Sequence, residues 1–586
     1  MSKFFKYFLA VVLGSMVSAF FFLIGIVMFI SILASSASKD VKVDKNSILV
    51  LELSGPIVER ATSDPLQSLV SELSGQPSTT GLNQILASIK KAKIDDRIMG
   101  IYMEPGLAMG GWATIEEIRN ALIDFRESGK FVHSFGSVYT QKGYYLASAG
   151  DKVYLNPAGM LDFQGLSSTY TFYKGTLEKL GVEMQVFKHG EFKSAVEPFI
   201  LYKMSDAARL QTETFLNSMW QHVLNQVAES RNISVEALNQ TAENLPAFMA
   251  DSALLASGLI DSFKYKDEVI EELKSLTGIE SKKDLNGVTL AKYDQVYLPG
   301  KKKGLEKNKI AVIYAQGEID GSSGGIKSGE LSRTIRQARR DSSIKAIVFR
   351  INSPGGSGLG SEIIWREVKL ARETKPFVVS MGDLAASGGY YIACAADTIL
   401  AHPTTLTGSI GVFGLIPNTQ GLLKKIGITT DRVKTNTFAD MPALDRAFTA
   451  DEKRILQAYI ERFYTFFLQR CADGRNTTVE AIDEVGEGRV WSGENALGLS
   501  LVDKLGGIDD AIKIAANMAN IESYRIVELP EMLTPIEQVM KSLSGDASAR
   551  IGNILFGEEF RIFQTIRDLQ TAYPVQARMP FEISVN

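Results

Sequence analysis

Two glycine-rich turns and one lysine carry the residue types from which a reactive site can be built. The first turn, Asn352-Ser353-Pro354-Gly355-Gly356-Ser357, follows an apolar strand-like run and precedes a helical pattern. Glycine lets the backbone approach a ligand closely, and a helix N-terminus offers unbonded N–H groups to an anion. The turn lacks the Lys-Ser/Thr ending of a P-loop; it can hold a phosphate or, equally, a developing oxyanion. The second turn, Met381-Gly382-Asp383-Leu384-Ala385-Ala386-Ser387-Gly388-Gly389-Tyr390-Tyr391, sets Ser387 among small residues at a helix start. Ser387 reads there either as a nucleophile with room for a substrate backbone or as an ordinary N-cap. A nucleophilic serine needs a base. His402, just before Pro403, reads as a surface turn residue. A lysine serves instead if burial lowers its pKa. Lys193, in Gly190-Glu191-Phe192-Lys193-Ser194-Ala195-Val196-Glu197-Pro198-Phe199, has apolar neighbours able to desolvate it. Taken alone it reads as a solvated charge.

The surrounding chain has 586 residues, more than one domain needs, with 45% apolar and 22% charged residues, as in ordinary globular proteins. The net charge is −4 and no basic stripe carries interleaved aromatics, so nucleic acid is not an expected partner. Lys301 to Lys303 reads as a solvated loop. The histidines (His133, His189, His222, His402) and the cysteines (Cys394, Cys471) fall in no metal-ligand spacing, so neither metal nor cofactor is expected. Cys394 reads as a small buried residue.

From Tyr7 to Ser38 no side chain is charged. The run is long enough to span a bilayer and longer than the ~7–15 residues of a cleaved hydrophobic signal region. Ser35-Ser36-Ala37 does resemble a cleavage site. An uncleaved signal anchor over residues 1–44 is expected, with Lys3 and Lys6 favouring a cytoplasmic N-terminus and the bulk of the chain exported.

The remainder repeats itself. Shifting the chain by 246 residues places Phe131-Val132 on Phe377-Val378, Ser134 on Ser380, Gly136 on Gly382, Gly143-Tyr144-Tyr145 on Gly389-Tyr390-Tyr391, Asp151 on Asp397, Pro157 on Pro403 and Gly165 on Gly411. Two copies of one domain, 45–280 and 308–525, are expected, joined by a polar connection at 281–307 and followed by a tail at 526–586. In the second copy, Ile310 to Tyr314, Ala346 to Phe349, Phe377 to Val379 and Thr398 to Leu400 read as strands, and Ser361 to Arg372, Tyr390 to Ala396 and Asp451 to Cys471 as helices. Short fully apolar runs between helices predict parallel strands buried on both faces, an α/β architecture rich in βαβ units. The aromatics of the last helix read as core or subunit contact. An amphipathic helix is expected near Ile551 to Leu569.

Ala386-Ser387-Gly388-Gly389-Tyr390-Tyr391 and Phe192-Lys193-Ser194-Ala195-Val196-Glu197-Pro198-Phe199 resemble the serine and lysine motifs of the signal peptide peptidase A (protease IV) family in its long, duplicated form. Asn352-Ser353-Pro354-Gly355-Gly356 resembles the oxyanion turn shared with Clp-protease and crotonase-like folds, and the likeness extends over nearly the whole chain. The resemblance implies tandem crotonase/Clp-protease-like domains and a Ser/Lys dyad. Ser387 would attack the scissile carbonyl, Lys193 would accept its proton, the amides of Gly356 and Gly388 would bind the oxyanion, and Ser409 would orient the lysine. It further implies a membrane-bound homotetramer that digests cleaved signal peptides and other short apolar peptides in a bacterial inner membrane, with the catalytic bulk outside the cytoplasm. The Clp-type histidine has no counterpart, since Val412 occupies that region.

In the 246-residue register Ser387 faces Gln141 and Lys193 faces Ala439, so each copy holds only part of a site and a site formed between the halves is expected. A crotonase-type acyl-CoA enzyme fits the Gly-Gly turn but not export, and a silent membrane scaffold fits the repeat alone.

Overall fold

The computed structural model describes residues 42–61, 79–298, 306–321, 325–532 and 576–578, with scattered positions between 5 and 21. The expected anchor lies mostly outside these residues, and the helix expected near 551–569 wholly so. Among the described residues no helix is long and apolar enough to cross a membrane.

Two parallel sheets with helical layers make up the α/β fold. The first runs in the order Ser262–Phe263, Lys152–Leu161, Phe131–Tyr139, Ile98–Glu104, Ser47–Glu52, Gly287–Thr289. The second carries Leu406–Gly408, Phe377–Ala386, Ile344–Ser353, Lys309–Gln316 and Arg525–Leu529 side by side, with Thr398–Ala401 also beside Phe377–Ala386 and Val490–Ser492 antiparallel at one edge. Their central strands are apolar on both faces, as parallel strands sandwiched by helices must be. The 246-residue offset holds through the pairs Ile98/Ile344, Trp112/Gly358, Phe131/Phe377 and Lys152/Thr398 at which elements begin. The Gly287–Thr289 strand and Leu290–Asp294 helix fall in the stretch expected as a polar connection and instead extend the first sheet. The aromatic-rich helix spans Ala450–Arg475; Phe463 and Phe467 are buried, and Tyr459 and Phe466 face outward.

A third sheet joins the halves. Glu183–Lys188 pairs antiparallel with Phe413–Asn418, in register from Phe413↔Lys188 to Asn418↔Glu183. A charged network locks the same seam from the other side. Arg350 meets Glu59 at 2.8 Å and Glu117 at 2.6 Å. His402 lies 3.2 Å from Glu117 and 3.7 Å from Glu116, and Glu116 also meets His222 at 2.8 Å. Asp383 caps a helix of the opposite half. It accepts from the Thr114 amide at 2.8 Å and the Thr114 hydroxyl at 2.6 Å, at the start of Trp112–Arg126, where the N-cap is Gly111 and has no side chain of its own to offer.

His402 is therefore not the surface turn residue that Pro403 suggests; it is 2% exposed. Burial alone would lower its pKa, but the adjacent carboxylates of Glu116 and Glu117 outweigh that and raise it to about 10. A folded value above the unfolded ~6.5 gives stabilisation that is complete below that pH and is lost as pH rises through about 10. Replacing His402 with glutamine should cost ~3 kcal/mol at neutral pH, because two buried carboxylates each lose one of their cationic partners, Glu117 keeping Arg350 and Glu116 keeping His222. Denaturant melts across the alkaline range should show the wild type losing stability that the variant no longer has to lose.

Candidate active site

The Phe377–Ala386 strand runs into the Gly388–Ala393 helix through Ser387, which holds φ 55°, ψ −116°. Positive φ is uncommon for a residue with a side chain and signals a conformation imposed by its surroundings. Two backbone bonds impose it here: the Ser387 amide donates to Gly408 O on the neighbouring strand, and the Tyr391 amide donates to Ser387 O, each at 2.8 Å. Ser387 occupies the N-cap position, yet its hydroxyl caps nothing.

Lys193 comes from the other half. It sits five residues beyond Glu183–Lys188, the strand that pairs across the seam, at the start of a single 3-10 turn, Ser194–Val196. Its amine lies 2.9 Å from Ser387 Oγ, 2.9 Å from Ser409 Oγ and 3.1 Å from Ser409 O. Lys193, Ser387 and Ser409 are all fully buried. Burial pushes Lys193 far below the usual lysine range, with no charged neighbour offsetting the effect among the described residues.

Its stem is held by glycines. A Cβ on Gly488, which has φ +83°, would lie 2.6 Å from Lys193 Cβ, and one on Gly411 would lie 3.2 Å from Lys193 Cδ. The Phe192 amide bonds Glu487 O at 3.0 Å. Gln211, on the Asp206–Arg231 helix, ties the whole loop down. Its amide nitrogen donates to Phe192 O at 3.1 Å and Ser194 Oγ at 2.9 Å, and its oxygen accepts from the Val490 amide at 3.1 Å. Sequence reading missed Gln211 and Gly488; neither belongs to a motif, and their roles arise only from contact.

The Gly-Gly turn reaches the same place. Gly355 and Gly356 have φ +95° and +148°, and a Cβ on Gly355 would stand 2.6 Å from the Gly388 nitrogen. Ser357 caps the following helix, Gly358–Arg372, accepting from the Gly360 amide at 3.1 Å. The turn and the Ser387 helix start thus abut, beside Lys193 and Ser409.

The matching place in the first half is closed. Gln141 Oε1 accepts from the amides of Gln164 and Gly165 at 2.9 Å, and its Nε2 donates to Gly165 O at 3.0 Å. Ala439, in register with Lys193, lies in an exposed turn.

Gly488→Ala should therefore disarm the site without unfolding the protein, since the added methyl meets the lysine stem and the backbone is strained at that φ. The expected result is a loss of at least about tenfold, roughly 1.4 kcal/mol of barrier, in peptide hydrolysis, with the native fold retained by circular dichroism.

Comparisons with known proteins agree with this chemistry. Residues 124–280 and 369–522 match Peptidase family S49. Protease 4 of Salmonella typhi is 38% identical over 86% of this chain and 83% of its own length. Serine protease SPPA, chloroplastic, of Arabidopsis thaliana is 33% identical over 92% of this chain and 78% of its own. A solved ClpP1 mutant of Listeria monocytogenes aligns with 34% of this chain and 94% of its own at 16% identity, with a TM-score of 0.24 that carries no argument. The family and these two curated relatives are peptidases by name, which sets aside both the acyl-CoA enzyme and the silent scaffold. The chain belongs to peptidase family S49 and is a serine protease.

Proposed function

We propose that Ser387 and Lys193 are nucleophile and general base of a Ser/Lys dyad in a membrane-anchored endopeptidase that digests signal peptides remaining in the bilayer after preprotein processing. The observation that carries this reading is the 2.9 Å contact between Lys193 Nζ and Ser387 Oγ in a fully buried setting.

A neutral lysine has two N–H donors and one lone pair. Ser409 offers two acceptors, its carbonyl at 3.1 Å and its hydroxyl at 2.9 Å. That hydroxyl donates to Gly488 O at 3.2 Å and so accepts from the amine. With both N–H bonds spent on Ser409, the lone pair faces the Ser387 hydroxyl, ready to take its proton. Ser387 Oγ then attacks the scissile carbonyl, Lys193 returns the proton to the leaving amine, and water repeats the cycle on the ester. The amides of Gly356 and Gly388 receive the oxyanion.

The uncharged run from Tyr7 to Ser38 supports a single-pass anchor in a bacterial inner membrane, with the catalytic bulk on the extracytoplasmic side. The crotonase/Clp-like character of each repeat and a homotetrameric assembly belong to the same proposal. Exposed Ile426, Ile428 and Val433 offer apolar surface for subunit contact.

Lys193→Arg keeps the charge but cannot supply a neutral base. It should lower turnover of a small chromogenic peptide by roughly 10²–10⁴-fold, with folding checked separately, and wild-type rates in this variant overturn the assignment. In the wild type, kcat/KM should rise with pH as the amine loses its proton and level off well below the ordinary lysine value of 10.5.

A further inference from the structure

Two segments enclose Lys193, and one side chain holds them together. One segment is the lysine's own loop in the first half; the other is the stretch from Glu487 to Val490 in the second half, whose Gly488 lies against the lysine stem. Gln211, 3% exposed on the Asp206–Arg231 helix, bonds to both. Its nitrogen donates to Phe192 O and Ser194 Oγ, and its oxygen accepts from the Val490 amide. Only a carboxamide satisfies a carbonyl and an N–H at once; an ionised glutamate brings no donor, and methionine brings neither a donor nor a strong acceptor. The grip extends toward the nucleophile. Val490 pairs with Gly408, Gly408 O accepts from the Ser387 amide at 2.8 Å, and the Ser409 amide donates to Arg489 O at 2.6 Å. About two turns further along the helix, Ser218 Oγ lies 2.7 Å from Ser492 Oγ, so the helix is fastened to the Val490–Ser492 strand at both ends. The helix start is tied to the lysine loop as well. Glu197 accepts from the Ser205 amide at 3.1 Å and hydroxyl at 2.7 Å, and Ser205 caps the helix. The repeat supplies a comparison: Gln457 stands in register with Gln211, but it is half-buried and donates to Lys188 O and Glu461 instead.

We propose that Gln211 is a positioning residue for the reaction: by clamping the two segments around Lys193 it holds the amine on Ser387 Oγ and keeps water from the lysine stem. The inference rests on Lys193 as the base. Proton transfer needs hydrogen-bond distance, and the 2.9 Å contact joins groups from different halves, so slack between the segments is felt there first. Enclosure has a second effect. A protonated amine reached by water regains its hydration, so opening the clamp moves Lys193 back toward the ordinary lysine value of 10.5. The titratable side chains of the enclosing segments are engaged elsewhere. His189 stacks on Tyr464, Glu191 is exposed, and Glu197 is bound to Ser205. Glu487 meets the loop through its carbonyl, and the Arg489 guanidinium lies over the rings of Phe192 and Trp491 at 4.8 and 4.1 Å. Hydration of the amine therefore sets the direction of the change.

Rate–pH profiles of the full chain in detergent, on a small chromogenic peptide, test this. Gln211→Met keeps the volume and removes the bonds to Phe192, Ser194 and Val490. It should lower kcat at neutral pH at least about tenfold, leave KM little changed, and displace the midpoint of kcat/KM to higher pH. Gln211→Glu should not restore the wild-type profile, and Gln457→Met should match it. Ser194→Ala, which removes a single acceptor, should move the midpoint the same way by less, and it reads the clamp even where Gln211→Met fails to fold by circular dichroism. A wild-type midpoint in Gln211→Met, or in Ser194→Ala where Gln211→Met does not fold, overturns the proposal, as does a Gln457→Met chain equally impaired. Lys193→Ala run in parallel separates the two readings. An inactive Lys193→Ala beside a Gln211→Met with the wild-type profile overturns the clamp alone, and a fully active Lys193→Ala overturns the base assignment beneath it.

Discussion

An amine buried with no counter-ion among the described residues is the constraint around which this molecule is arranged. Sealing an unpaired ammonium away from water costs several kcal/mol, so the folded chain favours Lys193 without its proton. That preference holds only while water is excluded and no carboxylate approaches. Both conditions are met by backbone rather than by side chains: Gly411 and Gly488 close over the lysine stem, and the polar contacts within reach are the hydroxyls of Ser387 and Ser409 and one carbonyl. A carboxylate in place of Ser409 would restore the charge and remove the lone pair.

Such a contact tolerates little slack, because amine and hydroxyl come from different halves of the chain. The seam is accordingly overdetermined. On one side the halves share a sheet through Glu183–Lys188 and Phe413–Asn418. On the other, Arg350 and His402 are held among Glu59, Glu116 and Glu117, and Asp383 caps a helix of the opposite half. A buried ionic network of this kind adds little net stability over an apolar equivalent but is costly to break. Asp383 and Asn352 lie on the two strands that lead to Ser387 and to the Gly-Gly turn, so the network acts on the position of the reactive groups themselves.

Much of this was legible in the residues. Glycine, proline and paired tyrosines recur at one offset because each serves a backbone geometry that both copies keep, and the apolar runs announced central strands because parallel strands are buried on both faces. The Ser387 turn and the Lys193 segment stood out as motifs, and the losses at Gln141 and Ala439 pointed to a site between the copies. What the sequence withheld was contact. His402 looks like a turn residue beside Pro403, and its burial depends on Glu116 and Glu117 of the other half. Gln211 is an unremarked helix residue until its amide is found gripping Phe192, Ser194 and Val490. Gly287–Thr289 follows a polar, lysine-rich stretch, and only the open edge of Ser47–Glu52 makes it a strand.

The sealed position at Gln141 has a consequence for stoichiometry. A single-unit ancestor that pairs with copies of itself creates an equivalent pocket at every junction. Here the position in register with Ser387 is filled by a glutamine amide bonded to the backbone at Gln164 and Gly165, and the position in register with Lys193 is Ala439. Each chain therefore brings together one lysine and one serine, Lys193 and Ser387, although its fold is repeated twice, and the matching place in the first half is free to change its shape without touching that contact.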